Sequence, residues 1–402
     1  MKSYDALVIG AGPAGATAAF MLARAGWSVA LIEKARFPRR KVCGEFMSAT
    51  SMSLLREFGL AASYLAQAGP PVRQIGLYAG DTMLAADMPL PCDGPDFYGR
   101  ALGREHFDTM MLNAAAISGA AVWQPWTLTD LTRVADGYTA TAVAKEERKS
   151  ATLNARIVIA AHGSWERGRL PTQCQAAVPR ASDLFAFKAH FCNCGLPAAL
   201  MPLLLFPGGY GGMVHSDGGR VSLSCCIRRD RLARCRREHP NTKAADAIIT
   251  HIRASCRGVE NALADATRDA AWLSAGPIRP GIRAFRDDGI FAVGNAAGEA
   301  HPLVAEGISM AIQSSWLLCG QLIANQRDIL AGRGTAALAR EYAASWRRNF
   351  ARRVHAAAIF ASLATRPLAA AMATALLARA PAMLTVGAYL GGKSQLPILA
   401  RS

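Results

Sequence analysis

The chain has 402 residues, a formal net charge of +16, 51% hydrophobic residues and 18% charged residues. Such a length exceeds one ordinary core and points to two intertwined domains, and the apolar share excludes a disordered chain. The positive field favours anionic ligands such as nucleotide phosphates, acidic proteins or lipid headgroups. No DNA- or RNA-binding motif accompanies it, so nucleic acid is not an expected partner.

The chain opens on "YDALVIGAGPAGATAAFMLARAGWSVALIEK", Tyr4 to Lys34. "ALVIG" is short, apolar and ends in glycine, the pattern of a buried parallel strand. Gly10, Gly12 and Gly15 follow in G-x-G-x-x-G spacing, with Pro13 and Ala14 opening a helix that stops at Gly26. "SVALIE" is the second strand, closed by Glu33 and Lys34. Each glycine has a physical task here. Gly10 permits the tight turn, Gly12 lets the backbone approach a pyrophosphate, and Gly15 allows close packing of helix on strand. Glu33 is placed to accept both ribose hydroxyls. Strand, glycines, helix, strand and acid in this order predict dinucleotide binding, without separating FAD from NAD.

"RFPRRKVCGEFMS" comes next, residues 36 to 48. Arg36, Arg39, Arg40 and Lys41 are suited to neutralising a pyrophosphate. A thiol among four cations is expected to be reactive. Cys43 therefore reads as a proton donor, a nucleophile toward cofactor or substrate, or a packed side chain. The ten cysteines, Cys92 and Cys174 among them, form no C-x-x-C pair. That spacing argues against zinc, and no secretory signal precedes the first strand; reduced thiols in a cytosolic protein are expected.

"YGRALGREHFDTMML" supplies Arg104, Phe107 and Asp108 on a helix, and "ARIVIAAHGSWERG" ends a later strand on His162-Gly163. Residues 183 to 228 read as sheet. In "DLFAFKAHF", Phe185, Phe187, Ala189 and Phe191 share one face while Lys188 and His190 share the other. The phenylalanine stripe suits an apolar substrate or a plain core. Tyr210, in the Pro207-Gly208-Gly209-Tyr210 turn, is a candidate for a cavity wall. Asp217-Gly218-Gly219 marks a hairpin. Six arginines between Arg228 and Arg237 suit a solvated helix face, an acidic carrier protein or a CoA-type phosphate.

"DDGIFAVGNAAGEAHPLVAEGISMAIQSSWLLCGQLIA" spans Asp287 to Ala324. It reads as a buried strand, a loop with Gly294, Asn295, His301 and Pro302, then an apolar helix from about Gly307 and Ile308. The tail from Val354 to Leu390 is very apolar. Arg366 and Arg379 cut it into uncharged runs of about a dozen residues, short of the roughly 20 a span needs. Packed helices or a lipid-facing surface both fit, and the basic set Trp346 to Arg353 beside it suits peripheral contact with an anionic membrane.

These signatures together resemble FAD-dependent oxidoreductases of the geranylgeranyl reductase and aromatic hydroxylase type, a superfamily that includes FAD-binding monooxygenases and flavin halogenases. The resemblance implies a second cofactor motif, usually Gly-Asp, at Gly294-Asn295, where Asn keeps the hydrogen bonds but not the charge. It implies a helix start at Glu306, Gly307 and Ile308 aimed at the flavin ring, with Ala305 in place of a family glycine. The R-x-x-[FL]-D pattern makes Arg104 a flavin contact, and K-x-C-G matches Lys41, Cys43 and Gly44. Gly44-Glu45 echoes a halogenase loop, but the W-x-W-x-I-P halogenase signature is absent. His162-Gly163 stands where the hydroxylases carry Asp-Gly, which weakens the case for a standard NAD(P)H-driven hydroxylase; the expected electron donor is NAD(P)H or, in its place, a reduced flavin or ferredoxin partner.

The expected fold is α/β: a Rossmann-like FAD-binding domain (1–70, 98–180 and 275–330) interwoven with an antiparallel-sheet substrate domain (71–97 and 181–274) and a helical C-terminal region (331–402). The expected function is hydride transfer from reduced flavin to a carbon–carbon double bond of an apolar, prenyl- or polyketide-like substrate. Cys43 or His301 would supply the proton. A flavin monooxygenase, a halogenase and a non-catalytic flavin binder remain as alternatives.

Overall fold

A computed structural model of the protein describes residues 2–91, 94, 97–144, 146–163, 168–173 and 178–393. Cys92 and Cys174 lie outside them. The eight described cysteines are free thiols.

Two sheets organise the chain. The first has a parallel core ordered Ala121–Trp123, Val29–Ile32, Lys2–Ile9, Lys149–Ala160 and Ile290–Ala292. Where both faces are covered the strands turn apolar, as in Val29–Ile32 and the last four residues of Lys2–Ile9. The long strand Lys149–Ala160 does double service. Its C-terminal half lies in the parallel core, while its first half pairs antiparallel with Gly137–Ala144, which in turn pairs with Thr127–Val134. One face carries the helices Pro13–Arg24, Arg104–Ile117 and Gly307–Ala324, the first packed against each of the other two. The alanine-rich first helix permits that closeness, and the Ser315 hydroxyl donates to the Ala14 carbonyl at 2.8 Å across the contact. Helix Gly307–Ala324 is long and apolar enough to cross a membrane, but 72% of it is buried in this core.

The second sheet has eight strands. Leu184–Cys192, Val221–Arg228, Gly209–His215 and Leu200–Phe206 pair antiparallel in that spatial order, the middle two joined through the Asp217–Gly219 turn. One pairing departs from the expected pattern: Leu200–Phe206 lies parallel to Gln74–Ala79. Helices Arg229–Glu238, Ala244–Ser255 and Arg257–Ala262 follow. Phe187, Ala189 and Phe191 pack with Ile248, Ile252 and Val259 of these helices. The phenylalanine stripe therefore builds an outer core and does not line a cavity. Several arginines of the basic run are engaged on the surface, Arg228 with Asp230 and Arg234 with Glu238.

Among the described residues the C-terminal region has three helices, Thr335–Ala364, Pro367–Arg379 and Met383–Leu390. The first is anchored to the cofactor-side core by Tyr342, whose hydroxyl donates to the Ala292 carbonyl at 2.9 Å, and by buried Trp346 and Phe350.

Candidate active site

A single cavity of about 540 Å³ runs from the glycine loop to the inner face of the second sheet. At one end the backbone makes the wall. Gly10 sits at φ +98, and a Cβ there would lie 2.8 Å from the Ala161 carbonyl oxygen. A Cβ on Gly15 would lie 1.8 Å from the Gly10 oxygen, so helix and strand close only without side chains. Gly12 differs: the nearest atom to its added Cβ is Arg104 Nη2 at 3.7 Å, so a side chain would stand in the open cavity. Pro13 and Ala14, in the first turn of the helix, also line it. Glu33 is buried and accepts from the Ala11 and Ala35 amides, both at 2.9 Å. Its carboxylate ties the glycine loop to the second strand while its remaining lone pairs stay available to hydroxyls, and Lys34 extends the same wall.

The loop from Arg36 to Glu45 closes the middle of the cavity. Its four cations part company. Arg36 points outward to Glu146 at 2.8 Å and is not on the wall, whereas Arg39, Arg40 and Lys41 are. Burial, together with the charges of Arg104 and Arg39, lowers the Lys41 pKa to about 8. Cys43 lies on the wall beside the Arg104 guanidinium, and a Cβ on Gly44 would be 3.3 Å from Ser224 Oγ. Arg104 itself is buried. It grips Asp108, one turn on, through two 2.7 Å bonds, and Asp108 also faces Arg39 at 3.3 Å. Burial pulls the Arg104 pKa down, but Asp108 and Cys43 more than compensate, and it is raised.

Sequence reasoning missed what lies beneath this loop. Glu45, at φ +64, turns its side chain inward and is 1% exposed. It ion-pairs with Lys188, hydrogen-bonds His190 Nε2 at 2.7 Å, accepts from Ser216 Oγ at 3.3 Å, and takes the Arg104 amide at 3.3 Å. Lys188 and His190 are both 0% exposed, and Arg40 reaches His190 Nδ1. Burial works to raise the Glu45 pKa, yet His190 and Lys188 prevail and hold it well below the carboxylate range. This cluster bolts the Cys43 loop to the second sheet. The strict alternation of strand 184–192, which put Lys188 and His190 on one face, was the available signal.

The second signature completes the cofactor end. Gly294, at φ +58, lies so close to the first helix that a Cβ would meet Ala14 Cβ at 2.9 Å, and its amide donates to Ser314 Oγ at 2.8 Å. Asn295, Pro302, Gly307 and Ile308 line the cavity. Ala305 takes the left-handed conformation, φ 50 and ψ 41, which accounts for a glycine at that place in the resembling family. Glu306, at the start of helix Gly307–Ala324, is held by Lys393 at 2.9 Å, Arg353 at 3.5 Å and Ser48 Oγ at 3.2 Å.

The far end is apolar. Met201, Leu203, Val214, Ile278 and Leu303 line it with Tyr210. His301 stands behind: Ala300 and Pro302 reach the wall, while its Nδ1 meets the Tyr210 hydroxyl at 3.2 Å. Burial lowers the His301 pKa to about 4, so its ring is neutral near pH 7. Burial likewise raises the Tyr210 pKa well above its usual value, so the phenol keeps its proton.

A glycine-cradled helix start, an acid closing the second strand and a second glycine signature packed on the first helix define a dinucleotide-binding oxidoreductase of the Rossmann type. The chain matches the FAD binding domain family over residues 3–358 and belongs to that family. It is 27% identical to a menaquinone reductase of Mycolicibacterium smegmatis, covering 78% of this chain and 75% of the relative. It is 27% identical to digeranylgeranylglycerophospholipid reductase 1 of Methanothermobacter thermautotrophicus, covering 83% and 81%. It is also 27% identical to conditioned medium factor receptor 1 of Dictyostelium discoideum over 81% of this chain, but spans only 65% of that relative's length. Among solved structures, the flavin-dependent brominase Bmp2 superposes with a TM-score of 0.76 at 19% identity, covering 97% of this chain and 94% of the brominase. A geranylgeranyl bacteriochlorophyll reductase-like protein from Thermoplasma acidophilum gives 0.72 at 19%, covering 91% and 88%. At these identities the structural likeness speaks for the fold. The chain is an FAD-dependent oxidoreductase related to the geranylgeranyl reductases.

Proposed function

We propose that this protein reduces a carbon–carbon double bond of an apolar, polyprenyl-type substrate. The glycine loops, Glu33 and Arg104 would hold FAD, which when reduced by NAD(P)H or by a reduced flavin or ferredoxin partner would supply the hydride. The observation that carries the proposal is the continuity of one cavity from the glycine loop to an apolar chamber walled by Met201, Leu203, Val214 and Leu303. The relatives named as reductases of prenylated lipids and quinones support the same substrate class.

The residues divide the work. The first-helix amides beyond Gly12 receive the pyrophosphate, with Arg39, Arg40 and Lys41 as counter-charge. Glu33 takes ribose hydroxyls. Asn295 and Arg104 hold the middle of the cofactor, and the helix start at Gly307 and Ile308 favours negative charge at its ring. Cys43 and the Tyr210–His301 pair are the two proton sources at the chamber. Tyr210 keeps its proton and faces the substrate, and neutral His301 orients it.

The test is anaerobic turnover. Purified holoprotein reduced chemically and mixed with geranylgeranyl lipid is expected to yield a product heavier by two hydrogens and lacking one carbon–carbon double bond. A product carrying oxygen, formed only in air, would make the protein a monooxygenase instead.

A further inference from the structure

From Tyr342 to the last residue, sixty-one positions contain no Asp or Glu and eight Lys or Arg. Two of these cations, Arg353 and Lys393, are buried on Glu306. Arg348, Arg352, Arg366 and Arg379 are exposed, and none pairs with a carboxylate among the described residues. Helix Pro367–Arg379 buries no residue. Its Leu368, Met372 and Leu376 are 83%, 74% and 53% exposed at i, i+4, i+8 spacing, so they form one stripe. Ile359 and Leu363 before it, and Met383, Val386, Tyr389 and Leu390 after it, are exposed as well. A run of large apolar side chains left in water marks a surface that meets something apolar.

The inner sides of the same helices form the outer wall of the substrate chamber. Leu377, Leu384 and Ala388 pack with Met201, Val214 and Ala305, while Phe360, Ala361 and Ala364 pack with Leu203, Tyr210 and Leu303. The helices turn by 104° between Thr335–Ala364 and Pro367–Arg379, so they lie along the body of the protein.

We infer that helices Pro367–Arg379 and Met383–Leu390 dock this protein on the surface of an anionic lipid bilayer. A bilayer interface supplies both things this surface lacks: an apolar layer for the Leu368–Met372–Leu376 stripe, and negative headgroups for the arginines around it. Helix Pro367–Arg379 has 13 residues, which suits lying in the interface and not crossing it. Docking would set the chamber wall against the lipid. Only that consequence, access for a lipid substrate, rests on the function proposed above; the docking itself does not.

The experiment is vesicle flotation of the full-length holoprotein through a density gradient. With phosphatidylcholine vesicles containing phosphatidylglycerol, the protein is expected to float, at least about tenfold more than with phosphatidylcholine alone, and to be released by high salt. The triple variant Leu368→Glu, Met372→Glu, Leu376→Glu should keep its FAD absorbance and lose flotation about tenfold. Arg366→Glu with Arg379→Glu should weaken it in the same direction. The inference is overturned if the wild type stays at the bottom with both vesicle types, if it floats equally on neutral vesicles, or if the triple variant floats like the wild type. It is overturned too if the stripe is occupied by a second copy, seen as a dimer that the triple variant abolishes, or by an acidic protein. Failure here would leave turnover of detergent-dispersed lipid untouched, so the two proposals fall separately.

Discussion

The two ends of the cavity are made of different material. At the cofactor end the wall is backbone: Gly10, Gly15 and Gly294 allow approaches that no side chain permits. Beyond it the wall is side chains: a buried lysine, histidine and glutamate lie beneath the Cys43 loop in the middle, and a phenol stands in the apolar far end. The first end should therefore fail when atoms are added, and the rest when a charge or a hydroxyl is removed.

The largest expected effect is at the backbone end. Gly15→Val must push a Cβ and two methyls into a space only 1.8 Å from the Gly10 oxygen. A cost of about 3 kcal/mol or more is expected, with loss of bound FAD; flavin absorbance after gel filtration and the melting temperature check it. A Gly15→Val protein that is yellow and as stable as the wild type would break the contrast.

Glu45→Gln comes next. It leaves Lys188 and His190 buried without their anion, a loss of about 3–5 kcal/mol measurable by denaturant unfolding. The pH dependence has a definite sign. His190 and Lys188 hold the folded Glu45 below its unfolded value near 4.5, so its stabilisation is present above that value and fades as the pH falls below it. The variant should lack that acid-side loss. His301 adds a second slope. Its folded value near 4 lies below the usual 6.5, so stability declines as pH falls from 6.5 toward 4. His301→Asn should flatten that part of the curve.

These regions also differ in how well the sequence displays them. The glycine loop, Glu33 and the strand–loop–helix near Gly294 are local patterns, and each element lies where its spacing puts it. Glu45, Lys188 and His190 are 143 and 145 positions apart, so only the fold brings them together. The stripe of Phe185, Phe187 and Phe191 illustrates the limit from the other side. Alternation shows that a sheet has an apolar face, but not that helices Ala244–Ser255 and Arg257–Ala262 will cover it while the polar face turns to the cofactor loop. His301 was readable as a loop residue near the ring, whereas its place behind Tyr210 depends on a neighbour 91 positions away.

Smaller effects sharpen the substrate end. Tyr210→Phe should lower kcat by about a hundredfold with FAD binding unchanged, if the phenol delivers the proton. Cys43→Ala, made in parallel, tells the two proton sources apart: full turnover in Cys43→Ala removes the thiol from the reaction, and full turnover in Tyr210→Phe removes the phenol. The smallest change is Ala305→Gly. Relief of the left-handed alanine is partly offset by the freedom glycine gains in the unfolded chain, leaving a gain of about 0.5 kcal/mol in thermal unfolding.

On the proposed function, one cavity presents a bound flavin to an apolar substrate. Holoprotein reduced under anaerobic conditions and mixed with geranylgeranyl lipid should regain oxidised flavin absorbance, in step with the appearance of product bearing two more hydrogens and one carbon–carbon double bond fewer. Flavin that stays reduced with every such lipid, and returns to the oxidised form only when air is admitted, would contradict it.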